Sequence, residues 1–279
     1  MPHKTKPTRS WLFTPGTRPD RFVKAAEIGA DVLIIDLEDA VSPGDKPQAR
    51  ATAIEYLSGA AAGAASRALR INGLDMAAGI ADLHALLASD AAPDFPVLPK
   101  TEGPGHLHIL DRLLTAAKRD TRLVGLIESA RGLAAVEPTA AATPRLFGLM
   151  LGVADMAADL GVATAWPPLV AQRSRLVLAC ALAGVTPIDT PFFDVHDLDG
   201  LSREAAAAAA FGFPAKAAIH PGQIAPINKA LTPTDKAVEH ARAVLAANAK
   251  GVGLVDGQMI DEAVARKARR TLAAVGQAD

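Results

Sequence analysis

The chain has 279 residues, 50% of them hydrophobic, and its 29 lysines and arginines nearly balance its 30 aspartates and glutamates. This balance argues against a protein that binds nucleic acid or anionic membranes through a basic surface, and no apolar stretch is long enough to span a bilayer. We therefore expect a soluble, cytoplasmic protein with a large apolar core. The single cysteine, Cys180, lies in an apolar run, so the chain cannot form an internal disulfide and the thiol is expected in the core.

Apolar, strand-like runs alternate with segments of helical periodicity along the chain. Residues 32–35 are continuously aliphatic, which is typical of a parallel strand buried on both faces. Eight such runs in a chain of this length predict an α/β fold, a closed (β/α)8 TIM barrel. An open doubly wound sheet is the main alternative, but no glycine-rich dinucleotide motif follows the first strand. The predicted strands are Trp11–Thr14, Val32–Asp36, Ala68–Ile71, Val97–Pro99, Leu123–Ile127, Leu146–Leu151, Val185–Asp189 and Ala215–Ile219.

The segments between these strands predict helices, with Asp75 as an N-cap and with Gly29 and Gly184 just past a last turn. The predicted helices of the barrel include Arg18–Gly29, Lys46–Ala62, Asp75–Ser89, Gly105–Arg119 and Pro167–Gly184. Two more, Thr234–Ala249 and Asp256–Val275, follow the last strand. We expect residues 1–232 to form the barrel and residues 233–279 to form an extra helical segment that serves as a lid or a subunit contact. The alternative is a helix packed on the outside of the barrel.

Charged and hydrogen-bonding residues collect just after the predicted strands. Asp36, Glu38 and Asp39 end the second strand, where water, a metal or a cationic side chain can meet their charge. Because barrel active sites are built at the carboxyl ends of the strands, these acids predict a functional site. The alternative is that they only cap a turn and cover the surface.

Two further carboxylates, Glu128 and Asp155, follow neighbouring strands. Two acids without a nearby cysteine or histidine favour a hard cation such as Mg²⁺ or Mn²⁺, with coordination positions left for water and substrate. Asp155 can also cap the short helix that ends near Gly161.

Three other strand-end residues have open roles. Arg70 is well shaped to hold a carboxylate in a bidentate manner, or it neutralises the acids after the second strand. Lys100 is a candidate for a Schiff base with a ketone, although Glu102 close by favours a structural ion pair. His220 is either a ligand contact or a turn residue.

Seven motifs in order resemble those of the citrate lyase beta-subunit-like proteins of the HpcH/HpaI aldolase superfamily, to which malyl-CoA lyases are related. The resemblance runs from Trp11 to about Val275 and is specific for the superfamily but not for the substrate. The motifs are Leu12–Arg18, Asp36–Val41, Arg70–Asn72, Pro99–Glu102, Leu126–Ser129, Gly152–Asp155 and Ile219–Pro221.

The resemblance implies a Mg²⁺-dependent barrel, a homotrimer or hexamer, that makes or breaks a carbon-carbon bond between a 2-oxo acid and an acyl thioester. By this resemblance Glu128 and Asp155 are metal ligands, and Arg70 holds the oxo acid or its product. Glu38 and Asp39 match a catalytic acidic pair near the metal. The positions that match CoA-binding residues of malyl-CoA lyase-like members are Phe13, Arg18 and Lys24.

The segment Gly257–Asp261 resembles a lid motif whose aspartate reaches the active site of an adjacent subunit. The resemblance implies that Asp261 acts there as acid or base on the acyl carbon. An acid placed favourably in the first turn of a helix is the alternative, and the two are compatible.

The expected function is therefore Mg²⁺-dependent cleavage, or formation, of a 3-hydroxyacyl-CoA such as malyl-CoA or citramalyl-CoA, giving a 2-oxo acid and an acyl-CoA. The alternatives are a citrate lyase beta subunit acting on an acyl-carrier-protein thioester, a malyl-CoA thioesterase, a class I aldolase using Lys100, and a non-catalytic scaffold that binds CoA or a metabolite. Arg18, Lys24 and Asp261 together favour the stand-alone CoA enzyme.

Overall fold

The computed structural model describes residues 7–60, 63–249 and 253–277. Within them, eight parallel strands close into a barrel in chain order, with the last strand paired to the first. The (β/α)8 barrel predicted from the sequence is thus confirmed. The strands are β1 Ser10–Pro15, β2 Val32–Asp36, β3 Ser66–Arg70, β4 Phe95–Leu98, β5 Leu123–Ile127, β6 Leu146–Leu151, β7 Thr186–Asp189 and β8 Ala215–Ala218.

The predicted helices of the barrel are present with bounds that differ by a few residues, and no helix of the described residues is long and apolar enough to cross a bilayer. Gly29 and Gly184 adopt positive φ angles of 79° and 70° just past their helices, as expected for glycine there. The barrel helices are α1 Phe22–Glu27, α2 Lys46–Ser58, α3 Ala77–Leu87, α4 Pro104–Ala116, α5 Ala130–Ala134, α6 Val136–Ala140, α7 Val153–Leu160, α8 Val170–Ala183, α9 Leu198–Phe211 and α10 Ile224–Leu231.

The predicted N-cap at Asp75 is wrong. Helix α3 begins at Ala77, and the residue before it, Met76, makes no side-chain cap. The Met76 amide instead donates to the carbonyl of Gly73 at 3.1 Å. Because this turn precedes the helix, the N-cap position falls on Met76 and not on Asp75.

Strand β2 buries both of its faces, which explains its unbroken apolar run. In β2, Val32 and Ile34 belong to the cluster inside the barrel, whereas Leu33 and Ile35 belong to the cluster between the strands and the helices. Side chains alternate along a strand, so the inward-facing set of β2 continues to its last residue, Asp36. A charged side chain therefore points into the carboxyl end of the barrel.

Cys180 lies in α8 and is fully buried, as predicted. Burial raises the pKa of its thiol to about 12, so the reactive thiolate is scarce at neutral pH. We expect iodoacetamide at pH 8 to leave the native protein unlabelled and to label it fully after denaturation, as read by mass spectrometry. Stoichiometric labelling of the native protein within minutes would contradict this burial.

The chain beyond the barrel comprises helix α11 (Asp235–Asn248), a hairpin of β9 (Gly253–Val255) and β10 (Gln258–Ile260), and helix α12 (Glu262–Ala273). It encloses a small apolar core of its own, separate from the two barrel clusters. The fully or largely buried members of that core are Val238, Ala241, Val244, Ile260, Ala268 and Leu272. The predicted extra C-terminal helices are thus present. The division at residue 232 and the lid role stay predictions.

The predicted start of the last helix at Asp256 is wrong, because residues 253–260 form the hairpin. Asp256 and Gly257 are its two turn residues, with φ angles of 51° and 78°. An Asp-Gly pair is a strong signal for a two-residue hairpin turn, since both central residues need positive φ. The helix starts only after Asp261, which is its N-cap.

Candidate active site

The site at the carboxyl end of the barrel is built from inward-facing positions at the ends of strands. Strand pairing places Asp36 of β2 beside Arg70 of β3, and Arg70 lies two residues after the inward Ala68. Glu128 likewise follows the inward Leu126 of β5 by two residues. The alternation of side chains along each strand thus brings a cation and two acids to one end of the barrel.

Arg70 is the centre of a buried ion cluster. Its Nε and Nη2 each lie 2.6 Å from one carboxylate oxygen of Asp36, and its Nη1 lies 2.7 Å from Glu38 Oε2 and 3.4 Å from Asp39 Oδ2. Its guanidinium also lies over the Phe13 ring, 4.9 Å from the centroid. Burial acts to lower the pKa of Arg70, but the hydrogen bonds and charges of the acids raise it overall. Arg70 therefore stays charged and neutralises these acids.

Asp36 is the first of the three acids at the end of the second strand, and the structure places it in this ion cluster. Its carboxylate is 1% exposed, pairs with Arg70 through both oxygens, and accepts hydrogen bonds from the amides of Glu38 at 2.9 Å and Ala40 at 3.2 Å. It thereby fixes both the arginine and the loop after β2. The sequence signal that assigns Asp36 to the inside of the barrel is its spacing of two residues from Ile34 and four from Val32, which both face inward.

The loop after β2 is also tied down from behind. Lys46 Nζ donates to the carbonyls of Leu37 and Glu38 at 2.9 and 2.8 Å and to Asn72 Oδ1 at 2.6 Å. The buried Asn72 amide in turn donates to Leu37 and to Asp82. These hydrogen bonds therefore fix the backbone at Leu37 and Glu38, and with it the position of the Glu38 side chain.

Glu128 and Asp155 line the same cavity, as the sequence predicted for neighbouring strand ends. Burial, followed by the charges of Glu38 and Asp155, raises the pKa of Glu128 to about 7. Asp155 lies in the first turn of α7, whose N-cap, Gly152, makes no side-chain cap. Acids that repel one another at a buried site are suited to a bound cation.

This pair of oxygen ligands fits a hard divalent cation such as Mg²⁺. Within residues 7–60, 63–249 and 253–277, no group of three or more histidines, cysteines, aspartates or glutamates is arranged to hold a metal. A cation held by Glu128 and Asp155 would leave its other coordination positions to water and substrate.

Gly152 makes room for Glu128. A Cβ atom at residue 152 would lie 2.6 Å from Glu128 Cβ and 2.7 Å from Oε2, so one of the two must move. We expect Gly152→Ala to weaken Mn²⁺ binding by about 10- to 100-fold, the range found when the support of a metal ligand is changed. Calorimetric titration checks this, with Gly105→Ala as the control because a Cβ there meets nothing within 4 Å. Unchanged affinity in Gly152→Ala would show that Glu128 is not a ligand.

The cavity has a volume of about 340 Å³. Its lining divides into the arginine and carboxylates described above and a set of apolar side chains. The apolar lining residues are Phe13, Leu126, Met150, Leu151, Val153, Pro191, Phe193 and Ile219. Such a division suits a small carboxylate joined to an apolar arm.

Phe13 is the one predicted CoA-contact residue in the wall of this cavity. Arg18 and Lys24 are exposed on the chain just after β1, where Arg18 pairs with Asp20 at 2.9 Å. Asp261 is exposed too, and its Oδ1 accepts the amide of Val264 at 2.9 Å. The structure therefore does not place these three residues in the cavity of their own chain.

The surroundings of Lys100 decide between the Schiff base and the ion pair considered for it. Burial acts to lower the pKa of Lys100, but its hydrogen bond to Glu38 and the charges of nearby acids raise it overall. Since a Schiff-base lysine needs a neutral amine, this environment disfavours a class I aldolase.

The ring of His220 accepts the amide of Gly222 at 3.1 Å, so His220 is a turn residue.

Comparisons with known proteins identify several similar chains. The chain is 38% identical to the L-malyl-CoA/beta-methylmalyl-CoA lyase of Cereibacter sphaeroides, over 96% of this chain and 94% of that protein. It is 58% identical to RipC from Yersinia pestis, whose crystal structure covers 82% of this chain and 97% of its own with a TM-score of 0.73. The CitE protein of Mycobacterium tuberculosis, solved with magnesium, acetoacetate and coenzyme A, is 33% identical, with 98% and 99% coverage and a TM-score of 0.81.

Two family profiles match as well. One, described as C-C bond lyase of the TIM-barrel fold, matches residues 172–274. The other, described as HpcH/HpaI aldolase/citrate lyase, matches residues 9–221 and thus most of the barrel. The chain belongs to the HpcH/HpaI aldolase/citrate lyase family.

Proposed function

We propose that the protein is a Mg²⁺-dependent carbon-carbon lyase that cleaves a 3-hydroxyacyl-CoA such as malyl-CoA or citramalyl-CoA into a 2-oxo acid and an acyl-CoA. The observation that carries this proposal is that Asp155 and the buried Arg70 and Glu128 line one cavity together with several apolar side chains. The names of the relatives, which include a malyl-CoA lyase and a protein solved with magnesium and coenzyme A, support it.

Arg70 is proposed to bind the carboxylate of the oxo acid. The contact of its Nη1 with Asp39 is its longest, 3.4 Å, and Asp39 is 65% exposed, so this contact is the one that a substrate carboxylate can replace. Nε and Nη2 stay paired with Asp36, and Nη1 keeps its 2.7 Å contact with Glu38, so the guanidinium is held in one orientation. A preorganised cation of this kind stabilises negative charge that develops during bond cleavage.

Cleavage requires that the substrate hydroxyl lose a proton. Glu38 and Asp39 are proposed to receive it, and Asp39 is the member of this pair that lines the cavity. Burial raises the pKa of Glu38 even though Arg70 and Lys100 lie beside it, which favours proton uptake by this carboxylate. Mg²⁺ held by Glu128 and Asp155 would supply positive charge to the anionic substrate oxygens.

The acyl carbon must gain a proton in the same cleavage. Asp261 is proposed as its donor in the active site of a neighbouring subunit, since it does not line the cavity of its own chain. The hairpin that precedes it exposes Leu254 by 73% and Met259 by 69%, which suits docking against another chain. We accordingly propose a homotrimer or hexamer, with Phe13, Arg18 and Lys24 as contacts of the CoA thioester.

The first test is a cleavage assay with Mg²⁺ on malyl-, citramalyl- and citryl-CoA, measuring the released oxo acid and free thiol separately. Oxo acid without free thiol, abolished by EDTA, would support the lyase and name its substrate. Free thiol would indicate a thioesterase instead. If none of the three thioesters gives a product, the proposal is contradicted, and a subunit that needs an acyl carrier protein, or a binding scaffold, is favoured.

A further inference from the structure

Lys100 has an uncommon backbone conformation next to the site. It lies just after β4 with a φ angle of 49°, in the left-handed region that non-glycine residues rarely adopt. Lys118, with a φ angle of 55°, follows the end of a surface helix, where such an angle is ordinary. Lys100 follows a buried strand, so its conformation needs a different explanation.

This conformation lets one residue reach two acids through two different groups. The backbone amide of Lys100 donates to Glu128 Oε1 at 2.7 Å, and its Nζ donates to Glu38 Oε1 at 3.1 Å. Glu38 in turn meets Arg70 at 2.7 Å. The residue therefore joins the arginine cluster of β2 and β3 to the carboxylate pair after β5 and β6.

We propose that Lys100 is a positioning residue: its amide orients Glu128, while its ammonium holds Glu38 and, through it, the guanidinium of Arg70. This inference rests on the proposed function, because it assigns Glu128 to metal binding and Arg70 to the oxo acid. Lys100 is not among the residues that line the cavity, so it acts through these two neighbours.

The two contacts can be separated by substitution, because only one of them uses the side chain. Lys100→Gly removes the ammonium but keeps the amide donor, and glycine adopts positive φ without strain. Lys100→Arg keeps a cation beside Glu38. Lys118→Gly is the matched control, since it removes an exposed lysine of the same backbone conformation far from the acids.

The experiment measures three quantities: Mn²⁺ affinity by calorimetry, the affinity of the Mn²⁺-loaded protein for pyruvate and glyoxylate, and kcat and KM in the cleavage assay. For Lys100→Gly we expect Mn²⁺ affinity within about threefold of wild type, and oxo-acid affinity and kcat/KM lowered by about 10- to 100-fold. We expect Lys100→Arg to recover most of that loss, and Lys118→Gly to match the wild type.

Three results would overturn the inference. The first is that Lys100→Gly binds the oxo acid as tightly as Lys118→Gly does. The second is that Lys100→Gly loses as much Mn²⁺ affinity as oxo-acid affinity. The third is that Lys100→Arg recovers no oxo-acid affinity. Binding is measured without turnover, so a wild type that cleaves none of the thioesters but binds Mn²⁺ and oxo acid contradicts only the proposed reaction. A wild type that binds no Mn²⁺ contradicts both.

Discussion

Asp261→Asn is expected to lower kcat for thioester cleavage by about 10²- to 10⁴-fold, the usual contribution of a general acid. Asparagine has no proton of suitable acidity to give to the acyl carbon. It does retain the oxygen that accepts the Val264 amide at 2.9 Å, and asparagine caps helices as well as aspartate does. Folding and Mn²⁺ binding should therefore stay unchanged, as measured by thermal unfolding and calorimetry, and only turnover should fall.

Asp256→Asn is the matched control on the same hairpin. Asp256 is 81% exposed and pairs with His240 at 3.0 Å, and its φ angle of 51° is one that asparagine tolerates. We expect kcat to stay within about twofold of wild type, because loss of an exposed pair of this kind changes little. An equal loss of activity in both variants would mean that the hairpin, and not the acid of Asp261, matters.

Mixed oligomers test whether Asp261 serves a neighbouring subunit. Neither Asp261→Asn nor Glu128→Gln should be active alone. When the two are assembled together in equal amounts, about a quarter of the sites should combine an intact barrel with an intact Asp261 from the next subunit. Recovered activity near that fraction would support action between subunits. No recovery in proven mixed oligomers would contradict it.

The barrel was predictable because strands such as β2 and β5 are buried on both faces. The aliphatic run at residues 32–35 has no polar alternation, and that pattern distinguishes a parallel strand from the edge of an open sheet. The alternation of side chains along the strand also assigns Asp36 to the inside of the barrel. The acidic residues that follow it, Glu38 and Asp39, make this inward position less obvious in the sequence. The gathering of Arg70 and Glu128 at one end of the barrel follows from the same alternation, whereas Asp155 comes from the first turn of the helix after β6.

Other features depended on backbone geometry or on assembly. The left-handed conformation of Lys100 has no sequence signal, because lysine is not a residue that favours positive φ. The hairpin turn at Asp256 and Gly257 did have such a signal, but the helical spacing of later apolar residues outweighed it and moved the predicted helix start too early. Arg18 and Asp261 lie outside the cavity of their own chain, and the roles proposed for them require a ligand or a second subunit.

The unfolding free energy of the protein should depend on pH through Glu128. Without a metal, Glu128 has its pKa raised from 4.5 to about 7, first by burial and then by the charges of Glu38 and Asp155. An acid whose pKa is raised on folding keeps its proton longer in the folded state, so stability falls as pH rises from 4.5 through 7. Summed over that interval, the loss is on the order of 3 kcal/mol.

Glu128→Gln isolates this effect, because glutamine has the same shape and no charge. In EDTA, we expect the variant to match the wild type near pH 4.5 and to exceed its unfolding free energy by roughly 3 kcal/mol above pH 7.5, as measured by urea denaturation. Glu55→Gln, at an exposed position of α2, should show no such difference. Saturating Mg²⁺ should reverse the order at pH 8, because only the wild type keeps both carboxylates for the ion. A variant no more stable than the wild type in EDTA, or one equally stabilised by Mg²⁺, would contradict the assignment of Glu128 as a buried metal ligand.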